Sequence, residues 1–233
     1  MKIGIIGAME REVKSLFEKL ENPKIEKVGN AEFYCGKLCG KEVVIVQCGV
    51  GKVNAALRAQ LLCMKFGVNK IINTGIAGAM GKGLGVFDFV VSEDAVYHDF
   101  DVRIFGYKRG QVPGFEHINF TADQQLADLA LKVFGETEFA KDHKIVKGRI
   151  ASGDQFIADK AIKEDIVSAF APACVEMEGA AIAHACSLNN VPFVIIRCMS
   201  DCADDSAINT YDFNEDTCAA MSAGFVEKLV EKI

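Results

Sequence analysis

The amino-acid sequence predicts an α/β protein, and three observations carry that reading. Short β-branched runs that end in glycine alternate with segments whose apolar residues recur at i, i+3, i+4 and i+7. Strands feeding crossover helices leave this signature. Apolar residues make up 50% and charged residues 25% of the 233-residue chain, ordinary globular usage that can bury a full core without staples. With only 4 prolines and no linker, repeat or low-complexity tract, residues 1–233 are expected to form a single domain.

In chain order, strands are expected over Lys2–Gly7, Glu32–Leu38, Glu42–Cys48, Lys70–Thr74, Phe89–Tyr97, Ile145–Ser152, Ala173–Met177 and Pro192–Met199. The Cys39-Gly40-Lys41 step between two alternating runs predicts a hairpin. A first helix begins near Glu10, where Val13, Leu16, Phe17 and Leu20 share one face and charges the other. The same period predicts helices over Val53–Phe66, Ala122–Phe134, Asp159–Phe170, Gly179–Leu188 and Asn214–Lys232. Asn189-Asn190 ahead of Pro192 is a reasonable helix stop. From Asp99 to Asn119, aromatic, basic and turn-forming residues mix without a period. An irregular loop is expected there, either functional or interfacial, with an inert surface excursion as the bland alternative.

A formal net charge of −6 and a pI near 5.3 leave no basic footprint for a polyphosphate backbone, so no nucleic-acid partner is expected. No apolar stretch approaches the roughly 18 uncharged residues that would cross a bilayer. MKIGIIGAMEREV runs into glutamates where a signal peptide would have its cleavage site, so the start reads as mature protein. No membrane partner is expected. The nine cysteines include no C-x-x-C pair and suit free thiols in a reducing compartment, so a soluble cytoplasmic protein is expected. Neither they nor the dispersed His98, His117, His143 and His184 suggest a metal site. No metal and no cofactor are expected.

The glycine clusters raise nucleotide-phosphate motifs, and none fits. Gly49-Val50-Gly51-Lys52-Val53 lacks the upstream glycine and the hydroxyl residue of a P-loop, and Gly81-Lys82-Gly83 fails likewise. Gly4 and Gly7 are wrongly spaced for a dinucleotide fingerprint. Ser152-Gly153-Asp154 and Ser200-Asp201 are not flanked as a nucleophile elbow.

Acids, by contrast, gather where strands end: Glu10 and Glu12 after the first strand, Glu176 and Glu178 at a strand-to-helix boundary, and Asp201 after Ile195-Ile196-Arg197-Cys198-Met199-Ser200. Asn73-Thr74-Gly75-Ile76-Ala77-Gly78 comes after another, buried-looking strand. Strand ends are the usual place for sites in open α/β sheets. Buried carboxylates cost several kcal/mol unless paired or hydrogen-bonded. Taken singly, Glu10 and Glu12 suit a helix first turn, Glu178 a cap and Asp201 a turn. Together they suggest glycosidic bond cleavage through an oxocarbenium-like transition state, one carboxyl protonating the leaving group and another activating water. Glu178 is well typed to accept from ribose hydroxyls.

GIIGAMEREV, CGVGKVNAA, NTGIAGAM, YHDFDVRIFGYKRGQVPG, ASGDQFI, VEMEGAAIAH and RCMSDCAD, in that order and spacing, resemble the bacterial 5′-methylthioadenosine/S-adenosylhomocysteine nucleosidases over essentially the whole chain. The resemblance implies a three-layer nucleoside-phosphorylase-like fold with a central twisted mixed sheet flanked by helices. It also implies a homodimer, a small-molecule nucleoside substrate and a place in methionine salvage. It makes Asp201 the general acid to adenine N7, oriented by Ser200, and Glu12 the residue that activates water, backed by Arg197 and Glu176. Glu178 would accept from the ribose over a floor made by Met177. Phe156 would stack on adenine and the Ile157 backbone pair with its amino edge, with Ala77 and Gly78 alongside. Met9, Val50, Val102 and Tyr211 would line the 5′ pocket, while Phe105 and Pro113 would enter from the partner subunit. Ile76 stands where many relatives have a hydroxyl, and Tyr211 where phenylalanine is common.

Two other readings compete. A phosphate-dependent nucleoside phosphorylase would need cations, yet Arg11 is the only one in either of the GAMERE and NTGIAG loops, and Glu12 would repel phosphate. A catalytically inactive nucleoside-binding protein would have no need to keep Glu12, Glu178 and Asp201 together.

Overall fold

The computed structural model describes residues 1–233, and its ten strands join one mixed sheet. β1 (Lys2–Gly7) lies between β4 (Lys41–Gln47) and β5 (Lys70–Ala79), parallel to both, and β5 pairs in parallel with β10 (Phe193–Asp201). β3 (Ala31–Leu38) and β2 (Glu21–Val28) extend the sheet beyond β4 in antiparallel fashion. Beyond β10 come β6 (Phe89–Tyr97), antiparallel to it, then β8 (Ile145–Ser152) and β9 (Cys174–Glu176), with β7 (Asn119–Thr121) added to β6. β9 returns antiparallel to the end of β5, Gly78 opposite Val175. The strands β5, β10, β6, β8 and β9 therefore close a ring, which draws several strand ends to one place.

Alternation along the strands builds the two outer layers. Ile3, Ile5, Ile72, Val194 and Ile196 pack with α1 (Glu10–Glu18), α3 (Gln124–Phe134) and α6 (Ala207–Lys232). Ile6, Val44, Val46, Ile71 and Ile195 pack with α2 (Lys52–Met64) and α5 (Gly179–Asn189). With both faces covered, the parallel strands read as near-continuous apolar runs. α4 (Lys160–Phe170) lays Ile166 and Phe170 on a smaller cluster with Val96, Ala151 and Val175. No helix is long and apolar enough to cross a membrane.

Every strand and helix expected from the sequence is present, and the Leu38–Lys41 pairing closes the hairpin through Cys39 and Gly40 at positive φ. The differences lie at β2, β5, the start of α6, and the short β7, which is absent from the expected strands. β2 is absent from the expected strands because its ENPKIEKV is polar; it is an exposed edge strand whose register slips between Glu21 and Lys24, around Pro23, as edge strands tolerate. α6 begins at Ala207, seven residues before Asn214. β5 continues past Thr74 to Ala79 because its glycines admit neighbouring side chains rather than turn the chain. Of the irregular loop expected over Asp99–Asn119, the part up to Ile118 is irregular apart from one 3₁₀ turn at Arg103–Phe105, and Asn119 opens β7.

Candidate active site

A cleft opens where β1, β5, β9 and β10 end, the usual place for a small-molecule site in an open α/β sheet. It is lined by Glu12 and Asp201, by Met9, Val50, Ile76, Ala77, Gly78, Phe156, Glu176, Met177, Glu178, Ser200 and Tyr211, and by Ala8 and Val175. The last two carry no signal in the sequence, where they read as ordinary strand-end apolar residues. Its ionisable acids are Glu12, Glu176, Glu178 and Asp201, and no lysine or arginine faces it. Ile157 lines a smaller recess beside Phe156, Met177 and Asp201. Arg197 lies behind the lining. Val102, Phe105 and Pro113 do not reach this chain's own cleft; they lie on the irregular arm, where Phe105 is 77% exposed.

Glu12 occupies the third position of α1 and folds back to the helix start, Oε2 accepting from Met9 N at 2.8 Å. Its Oε1 accepts from Ile76 N at 3.1 Å. Ile76 thus serves Glu12 through its backbone, whatever its side chain. Burial pushes the Glu12 carboxyl above its ordinary value, against the Arg197 charge and these backbone donors. Gly75 leaves room for it: a Cβ there would stand 2.6 Å from Glu12 Oε1.

Asp201 ends β10. Its Oδ1 accepts from Ala203 N at 2.7 Å and its Oδ2 from Ser200 Oγ at 2.8 Å. Burial raises its pKa, offset in part by those two donors. Gly78 makes its place, since a Cβ there would come 2.9 Å from Asp201 Oδ1 and from the Ala203 Cβ.

Glu176 and Glu178 divide their tasks in a way the sequence does not reveal. Glu178 is a candidate cap by sequence, but its side chain makes no cap bond; its Oε1 accepts instead from Gly51 N at 2.7 Å. Glu176 holds the helix start, its oxygens accepting from Gly179 N at 2.8 and 3.0 Å and from Glu178 N at 3.1 Å. It also takes the Ser152 hydroxyl and the Arg197 guanidinium. Arg197 donates further to Asn73 Oδ1 at 2.7 Å. Burial opposes its charge, but Glu176, Glu12 and Glu178 outweigh that and hold it above the ordinary arginine value. The carboxyl of Glu178, desolvated and beside the Glu176 charge, is pushed up to about 8. Sequence reasoning misses Asn73 and Ser152 as parts of the site, although an amide inside the apolar Ile71-Ile72-Asn73-Thr74 run is a usable signal.

At the mouth, the Phe156 and Tyr211 rings meet edge to face at 5.4 Å. The Tyr211 hydroxyl donates to Glu215, which pairs with Arg11 at 2.7 Å. No cluster of three or more His, Cys, Asp or Glu side chains is arranged to hold a metal ion.

A mixed sheet with an acid-lined cleft at its strand ends is the arrangement expected of nucleoside-cleaving enzymes, and the model of the phosphorylase superfamily matches residues 2–231. The 5′-methylthioadenosine/S-adenosylhomocysteine nucleosidase of Bacillus cytotoxicus is 42% identical over the full length of both chains. The crystal structure of the nucleosidase of that name from Neisseria meningitidis, in complex with methylthio-immucillin-A, superposes with a TM-score of 0.95 at 39% identity, covering 100% of this chain and 99% of that one. A futalosine hydrolase mutant of Helicobacter pylori gives 0.94 at 33% identity, with full coverage of both. The chain belongs to the phosphorylase superfamily and, within it, to the 5′-methylthioadenosine/S-adenosylhomocysteine nucleosidase family.

Proposed function

We propose that this enzyme hydrolyses the N-glycosidic bond of 5′-methylthioadenosine, S-adenosylhomocysteine and similar 5′-substituted adenosines, releasing adenine and the 5′-substituted ribose. The observation that carries the reading is the sign of the cleft: four acids and no cation line it. Phosphate would find no free cation there, since the buried Arg197 is already paired with Glu176, so water is the nucleophile the site favours over a phosphorylase reaction.

Asp201 acts as the acid on adenine N7. The Ala203 amide at Oδ1 and the Ser200 hydroxyl at Oδ2 fix the orientation of its carboxyl. Burial keeps its proton on more readily than in water, which suits a general acid. Glu12, held at both oxygens by backbone donors, positions and activates water. Glu178 accepts from the ribose hydroxyls, and Met177 lies under the sugar. Phe156 stacks on the base, the Ile157 backbone pairs with its edge, and Met9, Val50 and Tyr211 take the 5′ group. Such a cleft has all its polar groups set for turnover, which disfavours an inactive binding protein.

A homodimer completes the site in this reading. Ile104 and Phe105 on the arm are 89% and 77% exposed, and Val53 and Leu57 on α2 are 70% and 53% exposed. A second copy would cover them, with Phe105 and Pro113 reaching the neighbouring cleft and Val102 bordering its 5′ end. The nine free thiols suit the reducing cytoplasm, where the reaction would serve methionine salvage.

Adenine release by the Asp201→Asn and Glu12→Gln variants tests the assignment. Each is expected to lose turnover by at least about 100-fold while remaining folded. Wild-type rates in both would remove the mechanism.

A further inference from the structure

The start of α2 has no side-chain cap, because Gly51 holds the cap position at φ +98°. Two carboxylates from distant parts of the chain meet its first amides instead. Gly51 N donates to Glu178 Oε1 at 2.7 Å, and Lys52 N donates to Asp154 Oδ1 at 2.8 Å. Glu178 belongs to the cleft, whereas Asp154 lies two residues before Phe156 in the segment that brings Phe156 and Ile157 to it. One helix start is therefore tied to both the sugar side and the base side of the site.

The Lys52 side chain reinforces the second tie. Its Nζ donates to Asp99 Oδ2 at 2.6 Å and lies 3.7 Å from Asp154 Oδ2, while Asp99 Oδ2 also accepts from Asp154 N at 2.9 Å. The ammonium sits 5.5 Å from the Tyr97 ring centroid, and its side chain is only 23% exposed. Shielding of this kind makes such a pair stronger than an ordinary surface bridge. The segment is also seated tightly on the His98 imidazole, since a Cβ at Gly153 would collide with Nε2. Phe156 itself is 48% exposed and its ring meets that of Tyr211, so its position over the cleft depends largely on the backbone it hangs from.

We propose that Lys52 is a positioning residue for the purine: by holding Asp99 and Asp154 together it fixes the segment from which Phe156 and Ile157 reach the base, without touching substrate. The proposal rests on the reading of the cleft as an adenine nucleoside site. Without the ammonium, Asp99 and Asp154 face each other as like charges and the segment loosens. Glu12 and Asp201, anchored on α1 and β10, keep their places. Purine affinity falls while bond cleavage persists.

Calorimetric titration of the full chain with adenine reads this without turnover, alongside KM and kcat for 5′-methylthioadenosine. Lys52→Met is expected to weaken adenine binding about tenfold and raise KM similarly, with kcat within about threefold. Lys52→Arg restores most of the loss. Asp154→Asn, which opens the clamp from the other side, gives the same split between KM and kcat and stands in if Lys52→Met does not fold. In a Phe156→Ala background, Lys52→Met costs little more, because both act through one ring. Unchanged adenine affinity in Lys52→Met or Asp154→Asn, a loss in kcat alone, or full additivity with Phe156→Ala overturns the proposal. A wild-type chain that binds no adenine defeats the reading of the cleft instead, and the same titration shows it.

Discussion

Glu176 and Arg197 form an ion pair beneath the cleft floor, with side chains 3% and 2% exposed. Ser152, Asn73 and the amides of Glu178 and Gly179 add hydrogen bonds to it. Burial raises the pKa of both Glu12 and Glu178; on top of that the pair's positive end pulls Glu12 back down and its negative end pushes Glu178 further up.

Breaking that pair from one side strands a charge. Arg197→Met is expected to cost about 3–5 kcal/mol of stability, and the Arg197→Met/Glu176→Gln double variant less than the single one. Denaturant unfolding measures both. A single variant as stable as the wild type would show that the pair is not what holds the floor.

Glu178 is a carboxyl whose folded pKa lies above its unfolded one, about 8 against 4.5. Its neutral form is the one the fold prefers, so its contribution to stability is fully present below the unfolded value and is lost as pH rises through the folded value. Glu178→Gln, which keeps an acceptor for Gly51 N, should therefore melt above the wild type at pH 9, with the gap closing towards pH 4.5. A gap independent of pH contradicts the assignment. Function at this position is held at a cost in stability.

Gly75 tests how closely Glu12 must be placed. A Cβ 2.6 Å from Oε1 has to displace the carboxylate or the strand. Gly75→Ala is expected to lose about 100-fold in turnover with its circular dichroism unchanged. Wild-type rates would mean that Glu12 tolerates displacement and is not the water-activating group.

Much of this is legible in the sequence, and for physical reasons. Ile3, Ile5 and Ile6 or Val194, Ile195 and Ile196 can only be strands covered on both faces. Glu12, Glu176, Glu178 and Asp201 sit at strand ends, where chain order alone suggests convergence, although adenine and the 5′ group enter only through family resemblance. β2 escapes because an exposed edge strand buries too little to impose alternation on Glu21–Val28. The run Gly75–Gly78 looks like a turn, since chain order does not show that Glu12 and Asp201 press against those glycines. Tertiary contact likewise decides that Glu176, not Glu178, holds the start of α5. Asn73, Ser152 and the Lys52 clamp are long-range partners of the same kind.

The proposed reaction is hydrolysis of the ribosyl bond at a cleft lined by no lysine or arginine. Incubating the wild-type chain with 5′-methylthioadenosine, with and without inorganic phosphate, and identifying the sugar product tests it most directly; S-adenosylhomocysteine, 5′-deoxyadenosine and an aminodeoxyfutalosine-type nucleoside run alongside give the preference order. Adenine and free 5-methylthioribose are expected at the same rate in both conditions. Cleavage that requires phosphate and yields a ribose 1-phosphate would contradict it.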